Sequence, residues 1–537
     1  MESNGNPNQL PPISNWDELE YDFNDDIFIS LIKKFPIYPI EESNQVKYLL
    51  RYLKHIQCKA IIVENRYIDR YFLDDYLHFY GNCYRDYGRV CKRLHFFSIQ
   101  PREIKQYIDA ILCAEDKKSY KEIKKSIQKS YLGFVVIKPI PYVIIGSTLL
   151  KTYDETNFQE SSGFISEKRH ILTLKNYTAH LFGIPLKISS LHFQQQDSVI
   201  AACATIALWP ILDKIGDLYG YYSPTPFEIT QKANETFSES RMIPSSGLSL
   251  NQIVSTLRGF GYEVESKTFE IENPEVFTNY NDFLGFCYAY LRGGIPIYLE
   301  VDIENFGNHA LAVLGYKLKK EIPENNEVPL VGNRIESLYV HDDNLGPFAR
   351  FDVDFDEENS YLILKCEDYQ TESKTLSQMF PFAIAIPLYP KIRISYFDLL
   401  PKLKEILDAF EKMEIFGQKG SYVVEWDCFL TSSNEFKKEI LLGQIDFPPE
   451  IKTQILRADL PRFLWRNILA LNDFPILEII ADATDGRNAL PFLAVIIYSP
   501  EVEPIFKKIA ECENELRNII QDGSLANYLI EFFKSLR

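Results

Sequence analysis

The chain predicts an α+β fold: a central helix that starts near Cys203 and carries it, packed on an antiparallel sheet or barrel that carries His309 and Asp342, with a mainly helical segment before and an α/β domain after. Three observations lead there. Apolar residues recur at helical spacing in IFISLIKKF, NQVKYLLRYLKHI and REIKQYIDAILCA, all upstream of residue 129. A helical pattern returns in ACATIALWPILDKIG, just after the three glutamines 194–196. From residue 293 the pattern is strands: GGIPIYLEVD, HALAVLGYKL, ESLYVHDD, ARFDVDF and SYLILKCED.

Residues 1–20, rich in Asn, Pro and Ser, read as a disordered terminus. Residues 21–129 read as mainly helical, interrupted by one strand, KAIIVE. Residues 130–392 form the next unit, opening on YLGFVVIKPIPYVIIGSTLL, whose β-branched runs and Pro139, Pro141 and Gly146 favour strands and tight turns. Short strands continue through RHILTLKNYTAHLFGIPLKISSLHF to residue 193. After the central helix come helices at PFEITQKANETF and SLNQIVSTLRGFG, the second capped by Ser249 and closed by Gly259 and Gly261. Residues 393–537 open on the amphipathic SYFDLLPKLKEILDAFEKM and then alternate strands (SYVVEWDCFL, ILEIIADAT, FLAVIIY) with helices.

A chain of 537 residues is too long for one compact core, so two or three domains are expected. A formal charge of -18 opposes nucleic-acid and anionic-membrane partners, because the summed field repels phosphate. The basic run Lys117 to Lys129 suits the solvated face of a helix. The nine cysteines are an odd number without a CxxC pair, which excludes a disulfide framework, and Cys83 and Cys91 beside His78 and His95 fit no zinc spacing. The polar N-terminus is no secretory signal, and no apolar run reaches the roughly 18 to 20 residues of a membrane span, so a cytoplasmic protein is expected. HExxH, GxxxxGK[ST] and GxGxxG are absent, and FDVDFDEENS lacks the EF-hand spacing, so no metal or cofactor is expected.

The chemistry concentrates in FQQQDSVIAACATIALW (193–209), NHALAVLGY (308–316) and YVHDDNLGPF (339–348). A thiol nucleophile is favoured at a helix start, where free N–H groups and the helix dipole face the sulfur; Cys203 sits where strand-like sequence gives way to helix. It needs a base, and the base needs a third group to fix its tautomer. His309 heads an apolar strand after Gly307 and Asn308, and Asp342 ends the next strand, with Asp343 and Asn344 as competitors. His341 points to the opposite face from Asp342. An oxyanion donor is available from Gln196, or from Gln195 or Gln194, together with the Cys203 N–H.

These stretches resemble the papain-like cysteine peptidases, more closely their bacterial C39-like branch. The match rests on Gln196 and Asp197 before the Cys203–Ala204 helix start, the His309 to Tyr316 strand, Asp342 four residues before Gly346, GLSLNQIVSTLRGFGYEV and GGIPIYLEVD, and covers roughly residues 130 to 390. LGFVVIKPIP and IGSTLL are similar to a lead-in of uncharacterised bacterial members of that branch. The resemblance implies a cysteine peptidase acting on a protein or peptide, with Cys203 as nucleophile, His309 as general base and then acid, Asp342 as orienter and Gln196 as oxyanion donor. It also admits an acyltransferase with the same triad, or a non-catalytic scaffold. Gln196 lies seven positions before Cys203, longer than the family's spacing, so either the loop bulges or another glutamine serves. The flanking segments are expected to recognise a partner protein or restrain activity.

Overall fold

The structure, a computed structural model, describes residues 19–33, 39–113, 116–153, 169–197, 203–235, 248–268, 280–320, 329–356, 361–370, 376–416, 422–445, 447–486, 492–498 and 501–535. It mixes helix and sheet, as an α+β chain should. The expected disordered terminus falls outside the described residues except for Leu19 and Glu20, and Glu20 begins a strand.

The N-terminal part is less helical than the periodicity suggests. A five-stranded antiparallel sheet runs in the order β1 (Glu20–Asp22), β2 (Ala60–Tyr67), β3 (Cys91–Phe97), β4 (Tyr131–Ile137), β5 (Ile145–Leu150). Helices α1 (Asp25–Ile32), α2 (Asn44–His55), α3 (Arg70–His78), α4 (Pro101–Leu112) and α5 (Lys117–Ser130) connect these strands. A boundary at residue 130 would therefore cut through a sheet, because β4 pairs with β3 along its whole length. Sequence patterning missed β3 because CKRLHFF carries Arg93 and His95. Both are buried, and both reach the Glu64 carboxylate on β2, at 2.6 Å and 3.0 Å. As the basic run implied, α5 is mostly solvated, with only Ile127 and Ser130 among its buried residues.

A hairpin of β7 (Lys175–Leu181) and β8 (Ile184–Ser190) leads to the extended stretch 191–197, which is laced onto β5 by the Thr148–Phe193 bridge. Helix α6 (Cys203–Tyr219) follows, then α7 (Pro226–Asn234), α8 (Leu250–Gly259) and α9 (Tyr280–Leu291). The expected Ser249 cap is present: its hydroxyl accepts from the Gln252 N–H, and the Gln252 side chain returns the bond to the Ser249 N–H.

The strands β10 (Ile297–Ile303), β11 (Gly307–Leu318), β12 (Ile335–Asp342), β13 (Gly346–Asp356), β14 (Tyr361–Gln370) and β15 (Leu376–Leu388) run antiparallel and close into a barrel, since β10 pairs with both β11 and β15. A short β6 (Arg169–His170) adds to β11, and β9 (Glu263–Thr268) adds to β15. Helix α6 packs on β11, β10 and β15. Small side chains at Ala310 and Ala312 on β11, and at Ala383 and Ala385 on β15, let a helix approach closely.

The C-terminal part holds α10 (Tyr396–Lys412), the sheet β16 (Val424–Ser432), β17 (Phe463–Leu471), β18 (Phe474–Asp482), β19 (Phe492–Ile497), and helices α11 (Ser433–Leu441), α12 (Pro449–Arg457), α13 (Glu503–Glu511), α14 (Glu513–Ile519) and α15 (Gly523–Ser535). It shares one core with the barrel. Buried Arg334 pairs with Glu425 at 3.0 Å, and the Tyr288 hydroxyl donates to Asp427 at 2.9 Å.

Candidate active site

Cys203 is the first residue of α6, half-buried, with its thiol at the end of the helix where backbone N–H groups lack helical acceptors. The expected partners come from the adjacent barrel strands. His309 lies three residues into β11, and its Nε2 donates to Asp342 Oδ1, at the end of β12, at 2.9 Å. This commits one ring nitrogen to the carboxylate and leaves Nδ1 for the sulfur, and a hydrogen bond with the Cys203 thiol contributes to the charge state of the ring. Three sequence-distant residues thus converge in one place.

Asp342 is held from several sides. The Asn344 N–H donates to Oδ1 at 2.9 Å and the Tyr369 hydroxyl to Oδ2 at 2.9 Å. Asn344 therefore meets Asp342 through its backbone rather than competing for the imidazole. Asp343 is a different matter. Its Oδ1 forms an ion pair with His309 Nε2 at 3.3 Å outside hydrogen-bonding geometry, and neither of its side-chain oxygens accepts a hydrogen bond among the described residues. Burial pushes its carboxyl up to about 7, against the opposing pull of His309.

Burial alone would depress the His309 pKa. Asp342 and Asp343, with the hydrogen bonds to Asp342 and Cys203, overcome it and hold the imidazole well above its ordinary range. The imidazolium therefore persists on the alkaline side of the usual histidine value, and the stability this contributes is full below about pH 6.5 and is lost as pH rises through the raised value. Asp342→Asn is expected to keep the ring's hydrogen-bond acceptor but remove the largest raising influence. The alkaline limb of Cys203 alkylation by iodoacetamide should then move to lower pH; an unmoved limb would show that the carboxylate does not set the imidazole charge.

His341, expected on the opposite face from Asp342, bonds other partners: its Nδ1 accepts from the Phe348 N–H at 3.1 Å, its Nε2 bonds the Leu191 carbonyl at 3.2 Å, and burial depresses its pKa to about 3. Among the described residues, the cluster of His309, Asp342 and Asp343 is the one whose ligand atoms lie close enough for a shared ion, within 4.8 Å of one another. Two direct contacts within that cluster already pair the ring with carboxylate oxygens.

The glutamines separate by side. Gln195 extends the ladder to β5: its N–H donates to the Ile145 carbonyl at 3.1 Å, its Oε1 accepts from the Ile145 N–H at 3.3 Å, and its Nε2 donates to the Tyr142 carbonyl at 3.1 Å. That pins the β4–β5 turn and takes Gln195 out of the oxyanion role. In extended chain Gln194 and Gln196 share the opposite face. Gln196 is half-buried, and Gln194 is 2% exposed with an Nε2 that has no partner among the described residues. An unpaired buried amide is costly, and an oxyanion would satisfy it. Next along the chain, Asp197 is buried and accepts from the Tyr80 hydroxyl, fixing the strand end before residues 198–202, which lie outside the described residues.

Sequence reasoning missed the support from α2. Gln45 Nε2 donates to the Asp343 carbonyl at 3.1 Å and the Tyr48 hydroxyl to the Pro347 carbonyl at 2.9 Å. The fit is close at Gly346, where an added Cβ would sit 2.1 Å from the Tyr48 ring. No local pattern announces this, since nearly 300 residues separate the partners.

Compared with known proteins, the chain matches no family model and no curated protein.

Proposed function

We propose that the chain is a papain-like cysteine hydrolase, a peptidase that cleaves amide or isopeptide bonds. The observation that carries this reading is the convergence of the Cys203 thiol at a helix start with the buried His309–Asp342 pair, whose bond measures 2.9 Å. In this mechanism the Cys203 sulfur attacks the carbonyl carbon, the oxyanion takes hydrogen bonds from the Cys203 N–H and from a glutamine amide, and His309 gives its proton to the leaving amine. Water deprotonated by His309 then releases the acid and restores the thiol.

The glutamine is expected to be Gln196 by its place in the sequence, with Gln194 supported by its orphaned amide. Replacing the true donor by Ala should lower kcat by roughly 10² to 10³ with little change in KM, while the other replacement stays near wild type. Equal, small effects from both would remove the glutamine from the mechanism.

The reading as a whole is tested by incubating the full chain with a peptide pool and analysing products by mass spectrometry. Free acids that vanish in Cys203→Ala are the expected result. Newly formed amides would assign the same triad to acyl transfer, and products unaffected by Cys203→Ala would end the proposal.

A further inference from the structure

Asp342 orients the imidazole, yet the torsion of its own side chain leaves that orientation loose. An aspartate carboxylate turns about its last bond in a broad, roughly two-fold well, so hydrogen bonds rather than rotamer preference must fix its plane. Two of its contacts fall on the same oxygen: Oδ1 accepts from His309 Nε2 and from the Asn344 N–H, each at 2.9 Å. Those donors resist the turn at one end. The second fixed point is Oδ2, to which the Tyr369 hydroxyl donates at 2.9 Å.

Tyr369 lies near the end of β14, and both it and Asp342 are buried, so water is poorly placed to replace the phenol. The phenol is itself held in place. Its ring meets those of Phe306 and Phe351 edge to face, with centroids 5.5 Å and 6.4 Å away. Phe306 belongs to the turn between β10 and β11, three residues before His309, so one hairpin carries both the imidazole and a wall of the phenol's pocket. Burial, with the neighbouring charge of Asp342, keeps the hydroxyl protonated and therefore a donor wherever the thiol and imidazole titrate. A hydrogen bond to a buried charged acceptor is of the strong kind, because its loss leaves an anionic oxygen unsatisfied in the interior.

Resting on the hydrolase reading, we propose that Tyr369 is a positioning residue of the triad. Its hydroxyl fixes the plane of the Asp342 carboxylate, so that Oδ1 faces His309 Nε2 and the opposite ring nitrogen is presented to Cys203. Tyr369 acts through Asp342.

The test uses the full chain carrying Tyr369→Phe, which keeps the ring and its aromatic neighbours and removes the hydroxyl alone. Alkylation of Cys203 by iodoacetamide is followed across pH, together with the thermal midpoint. Loosening Asp342 weakens its hold on the imidazolium, so the alkaline limb is expected to move to lower pH, in the direction of Asp342→Asn. The rate at neutral pH should fall roughly tenfold, the scale of one hydrogen bond to a charged group. In an Asp342→Ala background the phenol has no carboxylate to hold, and Tyr369→Phe should change the rate by less than about twofold. An unmoved limb in the single variant, whether or not the midpoint falls, would reduce Tyr369 to a packing residue and overturn the assignment. Persistence of the full loss in the absence of Asp342 would overturn it as well. For peptides that the parent chain cleaves, the loss should fall on kcat with KM unchanged. Failure of the hydrolase reading looks different: the parent would cleave nothing, while the alkylation limb would still move in Tyr369→Phe.

Discussion

Cys203→Ala is expected to remove all hydrolysis and all iodoacetamide incorporation at this position while leaving the thermal unfolding midpoint within a few degrees of wild type. The thiol is half-buried at a helix start, so replacing sulfur by hydrogen leaves only a small void. His309→Ala should cost a comparable factor, about 10⁴ to 10⁶ in kcat, because members of such a unit fail together rather than additively. Unlike the cysteine change, it should also lower stability, since it leaves Asp342 and Asp343 buried side by side without the imidazolium. The double variant should be no less active than either single one. Residual hydrolysis above a tenth of wild type in either single variant would mean that the convergence of these groups is not catalytic.

The site was legible in the sequence because its members carry local signals. Cys203 marks a strand-to-helix change, His309 opens an apolar strand after a glycine, and Asp342 closes the next one. Two strands that the sequence pattern did not mark, β3 and β17, share a physical cause. Both β3 and β17 contain an arginine where the local pattern asks for an apolar residue, and in both a distant glutamate neutralises it: Arg93 with Glu64, and Arg466 with Glu478 at 2.5 Å. Burial of such a pair is a tertiary fact, invisible to periodicity. The same holds for Gln195, whose amide is fixed by β5, and for α2, whose role at the Asp343–Pro347 turn depends on contacts across the chain. Helices with strong caps were read well, because a capping box such as Ser249 with Gln252 is local.

Residues 130–392 expressed alone are expected to aggregate or to unfold without cooperativity, rather than to yield an unrestrained hydrolase. On one side the cut strips β4 of its partner β3 and leaves an apolar edge strand, every residue of which is buried in the intact chain. It also removes α2, with Gln45 and Tyr48 that hold the turn beside Asp343. On the other side it exposes the counterparts of Trp426 and Trp465 and leaves Arg334 without Glu425. Val46, Leu49, Leu53, Trp426 and Trp465 are all essentially fully buried in the core that also contains Leu208 of α6. At about 1.5 to 3 kcal/mol for each large apolar side chain, losing these contacts alone matches the 5 to 15 kcal/mol that typically separates a folded domain from its unfolded chain. The flanking parts therefore form walls of the proposed site, and α2 is the flanking element that holds the Asp343–Pro347 turn beside it. Circular dichroism melts and iodoacetamide kinetics on the fragment check this: a sharp melt together with wild-type alkylation of Cys203 would show that the fragment folds independently and that the flanks are separable.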